Sequence, residues 1–157
     1  MISAAELVEL LLIKGQILAA AESCTGGMVA ASVTDIAGSS AVFDRGFVTY
    51  SNAAKSEMLD VPNKLLETFG AVSEQVALNM AQGALMHSAA TIAIAITGIA
   101  GPTGGSDTKP VGLVYFAVAQ RRGKSLSDKQ IFKGGRAQVR MQARDHAFQM
   151  LGRALVG

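Results

Sequence analysis

Residues 17–27 read Ile17-Leu-Ala-Ala-Ala-Glu-Ser-Cys-Thr-Gly-Gly27 and predict a buried strand that turns directly into a helix. The apolar run Ile17–Ala21 has the length of a short buried strand. Two glycines then suit a tight turn, and the small-residue segment Met28–Ile36 follows as a helix. A second apolar run, Thr91–Ile96, alternates Ile and Ala and is typical of a central strand. Buried strands that lead into helices indicate an α/β fold.

The other patterned segments alternate between helix and strand along the chain. Ser3 and Glu6 have the spacing of a capping box and predict a helix that ends at Gly15. This alternation predicts a sheet covered by helices on both faces. The direction of the strand expected after the long glycine loop stays open, so the sheet is either parallel or mixed. Helices are expected at Asn52–Leu59, Ser73–Ser88 and Ala137–Leu155, with another turn after Pro62. Strands are expected at Phe43–Tyr50, Val111–Ala119 and Lys129–Lys133.

The composition is that of a globular protein with a core of small side chains. Half of the 157 residues are hydrophobic and 17% are charged, against about 25% charged residues in an average domain. Aromatic residues make up 5%, Trp is absent and Cys24 is the single cysteine. These values exclude a disordered chain, a coiled coil and a disulfide scaffold. We expect residues 1–157 to form one domain.

Charge and hydropathy argue against two classes of partner. The 14 basic and 12 acidic residues leave a formal charge of +2, too small to predict nucleic acid or a membrane surface as the main partner. The segment Val8–Ile13 is too short for a membrane helix or a signal sequence. We therefore expect a soluble cytoplasmic protein. Its helices are rich in Ala and Met and suit packing against a second copy, so a homo-oligomer is expected, with a dimer favoured.

Two glycine-rich segments follow the two expected buried strands. In an open α/β sheet, ligands bind at the carboxyl ends of the strands. Ser23–Gly27 leads into a helix, so its free N–H groups favour an anion or a developing oxyanion. Thr97–Gly105 offers further N–H groups and little side-chain bulk. Neither segment is a nucleotide-binding fingerprint, and a simple packing loop is the alternative interpretation.

Ser23 is the candidate nucleophile, because it lies at the turn between strand and helix. It is not part of a G-x-S-x-G elbow, since its second neighbours are Ala21 and Thr25. An ordinary helix-capping serine is the alternative. Cys24 is a second candidate nucleophile, although a lone cysteine in the first turn of a helix is more often a small core residue.

A serine nucleophile needs a base, and the two histidines lie late in their expected helices, away from the strand-end loops. A lysine that is kept neutral by burial or nearby positive charge can replace histidine. Lys55 lies near the start of a helix, where a cation is disfavoured. Lys109 is the rival, because Ser106-Asp-Thr-Lys109 matches S-x-x-K, but no helix aligns that pair.

Three arginines recur at four-residue spacing at the start of the last helix. Arg136, Arg140 and Arg144 would place like charges on one helix face. A bound anion such as phosphate would compensate for this repulsion, and a solvated face is the alternative. The sequence contains no cluster with metal-ligand spacing, so neither a metal nor another cofactor is expected.

Five ordered blocks carry a resemblance that covers nearly the whole chain. Together they resemble the CinA C-terminal domain family. The resemblance implies a three-layer α/β/α sandwich with a mixed, mostly parallel central sheet. It also implies a small nucleotide substrate, since stand-alone members hydrolyse nicotinamide mononucleotide to nicotinate mononucleotide and ammonia without a metal. The blocks are Ala21–Gly27, Gly46–Lys55, Gly70–Ser73, Thr97–Pro102 and Lys109–Gly112.

The resemblance also implies roles for individual residues. Ser23 matches the nucleophile of the family and Lys55 its general base, and Tyr50 joins them in the catalytic pocket. One departure is visible, because the family commonly has Gly-Asp-Arg where this chain has Gly134-Gly135-Arg136. Thr97 matches a residue that lines the same pocket, and the glycine-rich blocks and Arg140 match the surroundings of the phosphate and ribose. The expected substrate-binding residues are Thr25, Gly26, Gly27, Thr97, Gly98, Gly101, Gly104, Gly105 and Arg140.

Two other functions stay open at this point. One is a non-catalytic module that binds or senses a nucleotide, because the domain also occurs fused to other domains. The other is an amidase that acts on a different small carboxamide. The presence of both Ser23 and Lys55 favours an enzyme.

Overall fold

The computed structural model describes residues 1–157, which form six α-helices and five strands. A short 3₁₀ helix at Ser39–Ala41 precedes the second strand. The capping box of Ser3 and Glu6 is confirmed at the start of the first helix. The helices are α1 (Ala4–Lys14), α2 (Met28–Thr34), α3 (Asn52–Leu59), α4 (Asn63–Phe69), α5 (Glu74–Met86) and α6 (Arg136–Val156), and the strands are β1 (Leu18–Glu22), β2 (Phe43–Val48), β3 (Ile92–Gly98), β4 (Leu113–Gln120) and β5 (Leu126–Ile131).

The strands form one sheet in the order β2-β1-β3-β4-β5. Strand β1 pairs in parallel with both β2 and β3, whereas β4 pairs antiparallel with β3 and with β5. Four of the five strands therefore run in the same direction. The expected mixed, mostly parallel sheet is confirmed, and β4 is the strand that reverses.

Helices cover both faces of the sheet, and the two faces carry side chains of different size. Successive residues of a strand point to opposite faces. Large residues such as Ile94 and Phe116 pack against α1, α2 and α6, whereas alanines such as Ala93 and Ala95 pack against α5. The alanine face lets α5 lie close to the sheet. Gly83 of α5 in turn meets the backbone of Leu59 at the end of α3, where a Cβ would lie 2.0 Å from the Leu59 oxygen.

Several expected boundaries were wrong by a few residues. The strand expected from Val111 begins at Leu113, because Gly112 adopts a positive φ of 93° and turns the chain. The expected edge strand Lys129–Lys133 is an edge strand, but it spans Leu126–Ile131, where the antiparallel register with β4 places it. Since this register depends on β4, local patterning could not set it.

Three further boundaries differ from expectation. The strand expected to reach Tyr50 ends at Val48, and the helix expected to reach Ile36 ends at Thr34. The turn expected after Pro62 is a two-turn helix, α4. None of the helices has the length and hydropathy that crossing a bilayer requires.

Candidate active site

The two glycine-rich segments meet at one edge of the sheet, as the parallel pairing of β1 and β3 requires. Ser23 directly follows β1, and its N–H donates to the carbonyl of Ile96 in β3 over 3.0 Å. Thr97 and Gly98 complete β3 at the same edge. A pocket of about 170 Å³ opens there, and its lining consists of Ser23, Cys24, Tyr50, Asn52, Lys55, Ala71, Val72, Thr97, Gly98, Ala100 and Arg136.

Lys55 and Ser23 form a buried pair in this pocket. The Lys55 Nζ lies 2.9 Å from the Ser23 Oγ, and the side chains are 1% and 7% exposed. The amine donates to the carbonyls of Thr49 over 2.9 Å and Tyr50 over 3.3 Å. A neutral amine has two N–H donors and one lone pair. The two carbonyls therefore satisfy both donors, and the lone pair is left for the Ser23 hydroxyl.

Burial lowers the pKa of Lys55 from 10.5 to about 8. Desolvation disfavours the charged form of a buried amine. Lys55 forms no ion pair with a carboxylate, which would otherwise stabilise the protonated amine and raise its pKa. A substantial neutral fraction is therefore present close to neutral pH, as a general base requires.

Helix α3 places Lys55 by ordinary local rules. Ser51 caps the helix, and its hydroxyl accepts from the N–H of Ala54 over 3.0 Å. Lys55 and Leu59 are four residues apart and form the buried side of the helix. The cap and the buried Leu59 thus fix the orientation that directs the amine inward.

The turn after β1 is held by a glutamate that the sequence analysis did not single out. The Glu22 carboxylate is 1% exposed and accepts from the Thr25 hydroxyl over 2.6 Å. It also accepts from the N–H groups of Val29 over 2.9 Å and Ala30 over 3.1 Å. Gly27 precedes α2 and has no side chain to cap it, so Glu22 supplies the cap from the preceding strand. The available signal was a carboxylate at the end of an otherwise apolar strand.

The three arginines of α6 have different partners. Arg140 donates to the carbonyl of Cys24 over 3.0 Å and to that of Thr25 over 3.3 Å. Arg136 donates to the Gly101 carbonyl over 2.9 Å and to the Tyr50 hydroxyl over 3.0 Å. Arg144 pairs with its neighbour Asp145. Of the three, Arg136 is the one that lines the pocket.

The structure brings five of the expected site residues into the pocket lining: Ser23, Tyr50, Lys55, Thr97 and Gly98. The hydroxyl of Thr97 donates to the Ala71 carbonyl over 2.8 Å, which joins two segments of the pocket lining.

The other expected site residues lie outside this lining. The Thr25 hydroxyl is bound to Glu22. Gly26 and Gly27 form the turn with φ values of 58° and 105°. Gly101 holds Arg136 through its carbonyl. The remaining three are Gly104 and Gly105, exposed in the loop after β3, and Arg140, partly buried behind the turn.

Four other side chains that were considered as nucleophile or base do not take part in the Ser23–Lys55 pair. Burial raises the pKa of the Cys24 thiol from 9.0 to about 11, so the thiol is neutral and a weak nucleophile. Lys109 directs its amine to the Phe69 carbonyl rather than to Ser106. His87 binds Asp60 and His146 binds Asp128, both away from the pocket.

Sequence reasoning also left some pocket residues unassigned. Asn52 lies three residues before Lys55, on the same side of α3, and this spacing was the signal for it. Arg136 was noted for its spacing but not placed in the pocket. Ala71, Val72 and Ala100 are small apolar residues without a local signal.

Comparison with known proteins identifies the family of this chain. Residues 2–155 match the family model of the CinA C-terminal domain. The chain is 58% identical over 130 residues to the nicotinamide-nucleotide amidohydrolase PncC of Enterobacter agglomerans, covering 83% of this chain and 79% of that protein. It is 54% identical over 138 residues to PncC of Escherichia coli strain K12, covering 88% and 84%.

A solved structure shows the same fold. The competence/damage inducible protein CihA from Agrobacterium tumefaciens superposes with a TM-score of 0.92 at 49% identity, covering 98% of this chain and 96% of that one. With a family match that spans almost every residue, the chain belongs to the CinA C-terminal domain family.

Proposed function

We propose that this chain hydrolyses the carboxamide of nicotinamide mononucleotide to nicotinate mononucleotide and ammonia, with Ser23 as nucleophile and Lys55 as general base. The names of the relatives in Enterobacter agglomerans and Escherichia coli support the reaction. The observation that carries the proposal is the buried Lys55 amine, 2.9 Å from the Ser23 hydroxyl and without a carboxylate partner.

Attack begins from the neutral form of Lys55. The carbonyls of Thr49 and Tyr50 hold its two N–H groups, so its lone pair accepts the Ser23 proton. As the proton moves to Nζ, the Ser23 Oγ forms a bond to the carboxamide carbon. The π electrons of the C=O bond move to the oxygen and create a tetrahedral oxyanion.

Collapse of this intermediate releases ammonia. The C–N bond breaks, and the leaving nitrogen takes the proton from the Lys55 ammonium. The nicotinoyl group stays on Ser23 as an ester. Water then attacks the ester carbon while Lys55 accepts a proton from it, and Ser23 leaves with that proton. The product is the carboxylic acid, which loses its proton to solvent and becomes the carboxylate, and both side chains return to their starting state.

The size of the pocket fits the reacting end of such a substrate. Its volume of about 170 Å³ is below the roughly 300–1,000 Å³ usual for sites that enclose a whole drug-sized ligand. The pyridine ring with its carboxamide would enter, and the ribose and phosphate would remain at the mouth. The exposed Arg136 lies there, held by Gly101 and Tyr50, and supplies a positive charge.

Ammonia release by purified protein tests the proposal. Ser23→Ala and Lys55→Met should each lower kcat/KM for nicotinamide mononucleotide by about 10²–10⁴-fold. Ser106→Ala and Lys109→Ala are the matched controls, because they alter the second serine–lysine pair, and they should stay within about twofold of wild type. Near-wild-type ammonia release by the Ser23→Ala protein would contradict the assignment.

Two outcomes would favour the other functions. Saturable binding of the mononucleotide without any ammonia release would indicate a binding module. Faster turnover of a different small carboxamide than of the mononucleotide would indicate another amidase.

A further inference from the structure

Two backbone N–H groups next to Ser23 have no oxygen or nitrogen acceptor within the chain. They belong to Cys24 and Thr25, which are 6% and 0% exposed. The N–H groups on either side are occupied, since Ser23 donates to Ile96 and Gly26 donates to Ser23. Buried N–H groups without an acceptor are rare in folded proteins. Two consecutive ones beside a nucleophile indicate a place where an anionic oxygen is received.

The side chain of Arg140 determines where one of these groups points. In a trans peptide the C=O and the N–H point in opposite directions. Arg140 donates to the Cys24 carbonyl over 3.0 Å, so the N–H of Thr25 in the same peptide points away from the guanidinium. The second bond, to the Thr25 carbonyl over 3.3 Å, fixes the next peptide.

The local sequence leaves room for this contact. A Cβ at Gly26 would lie 3.3 Å from the Arg140 Nη2, and Gly26 has a φ of 58° that favours glycine. On its other side the turn is held by the Glu22 carboxylate, which binds the Thr25 hydroxyl. The turn is therefore fixed from two directions.

We propose that Arg140 is a positioning residue: it fixes the Cys24–Thr25 peptide so that the N–H of Thr25, together with the neighbouring N–H of Cys24, binds the oxyanion formed when Ser23 attacks. This inference rests on the proposed function and deepens it. It gives Arg140 a different role from the contact with phosphate or ribose that the family resemblance implies. The positive guanidinium also polarises the Cys24–Thr25 peptide and strengthens the Thr25 N–H as a donor.

The experiment compares Arg140→Ala with wild type on two substrates, nicotinamide mononucleotide and its dephosphorylated riboside. Loss of an oxyanion-hole donor costs about 10²–10³-fold in kcat. We expect a loss of this size on both substrates, by the same factor, with KM changed by less than about threefold. A phosphate contact would instead raise KM for the mononucleotide and leave the riboside unaffected, and that result would overturn the inference.

Two further variants complete the test. Arg144→Ala removes the arginine one turn along α6, which is paired with Asp145, and should keep kcat within about twofold. Arg140→Lys retains a donor but not the two-pronged geometry, so it should show a smaller loss, again equal on both substrates. If circular dichroism shows that Arg140→Ala does not fold, the comparison of the two substrates is made with Arg140→Lys instead. Unchanged kcat in a folded Arg140 variant would contradict the role.

Failure of this inference can be told apart from failure of the proposed function. If wild type releases no ammonia from either substrate, the proposed reaction is wrong and the inference is wrong with it. If wild type is active and the losses differ between the substrates, only the role of Arg140 is wrong.

Discussion

The sequence offers two candidate serine–lysine pairs, and the pair that is distant in sequence is the one whose side chains meet. Ser23 and Lys55 are 32 residues apart and lie 2.9 Å from each other in a buried pocket. Ser106 and Lys109 are three residues apart in an exposed loop, where the Ser106 hydroxyl accepts from the backbone N–H of Lys109. The amine of Lys109 binds the Phe69 carbonyl instead.

The difference lies in what surrounds each amine. Lys55 is supported by a capped helix on one side and by the carbonyls of Thr49 and Tyr50 on the other, and burial lowers its pKa to about 8. Lys109 is partly exposed, and nothing directs its amine towards Ser106. The S-x-x-K spacing of Ser106 and Lys109 is therefore not enough to pair a lysine amine with a serine hydroxyl. The fold must also bury the amine and direct its lone pair to the hydroxyl, as it does for Lys55 and Ser23.

The largest expected effect comes from keeping the charge of Lys55 and removing its ability to act as a base. Lys55→Arg retains a cation, but the guanidinium stays protonated at any working pH. We expect kcat/KM to fall by about 10²–10⁴-fold, whereas Lys109→Arg leaves it unchanged. Assays of ammonia release with both variants give the comparison directly. Activity of Lys55→Arg close to wild type would mean that the positive charge, not the neutral amine, matters at this position.

The next effect is on stability. The pKa of Lys55 is about 8 in the folded protein against 10.5 as its ordinary value, so between these pH values the unfolded state binds more protons than the folded state. The contribution of Lys55 to the free energy of unfolding therefore rises between pH 8 and pH 10.5, by about 3 kcal/mol in total. Lys55→Met removes the titration and should be more stable than wild type at pH 7, with the advantage disappearing towards pH 10.5.

Urea denaturation of wild type and Lys55→Met from pH 7 to pH 10.5 measures this difference. Subtracting the two curves cancels the other groups that titrate in this range. A difference in the free energy of unfolding that stays constant with pH would show that Lys55 is not shifted.

A smaller effect is expected in the pH profile of the reaction. The proposed reaction requires the neutral form of Lys55, so kcat/KM should rise about tenfold per pH unit below pH 8 and level off above it. The Lys109→Ala protein should follow the same profile. A flat profile from pH 6 to pH 9 would be incompatible with a lysine base.

The smallest effect is expected at the second pair. Lys109→Gln removes the contact with the Phe69 carbonyl, so the free energy of unfolding should fall by no more than about 1 kcal/mol, with kcat unchanged. Thermal denaturation and ammonia release measure the two quantities. A loss of turnover comparable to that of Ser23→Ala would remove the distinction between the pairs.

The parts of the fold that local patterns predict are those set by local forces. The turn from β1 into α2 follows from an apolar run and two glycines, and the helix that carries Lys55 follows from its cap at Ser51. The pairing of Ser23 with Lys55 was implied by the family resemblance, and the adjacency of β1 and β2 explains how the two side chains meet.

The parts that could not be predicted depend on contacts between distant segments. Arg140 binds the carbonyls of Cys24 and Thr25, which are 116 and 115 residues away in sequence. No spacing pattern in the sequence indicates that contact. Glu22 caps α2 from the preceding strand, because Gly27 has no side chain to do so. The bounds of β5 follow from its register with β4.

Direct titration of the Lys55 amine tests the central claim. Nuclear magnetic resonance of the protein labelled at the lysine side chains, assigned with Lys55→Met, follows each Nζ group as pH changes. The account predicts a midpoint near pH 8 for Lys55, coincident with the rise of kcat/KM. A Lys55 midpoint near the ordinary value of 10.5 would leave Ser23 without a base at neutral pH and would contradict it.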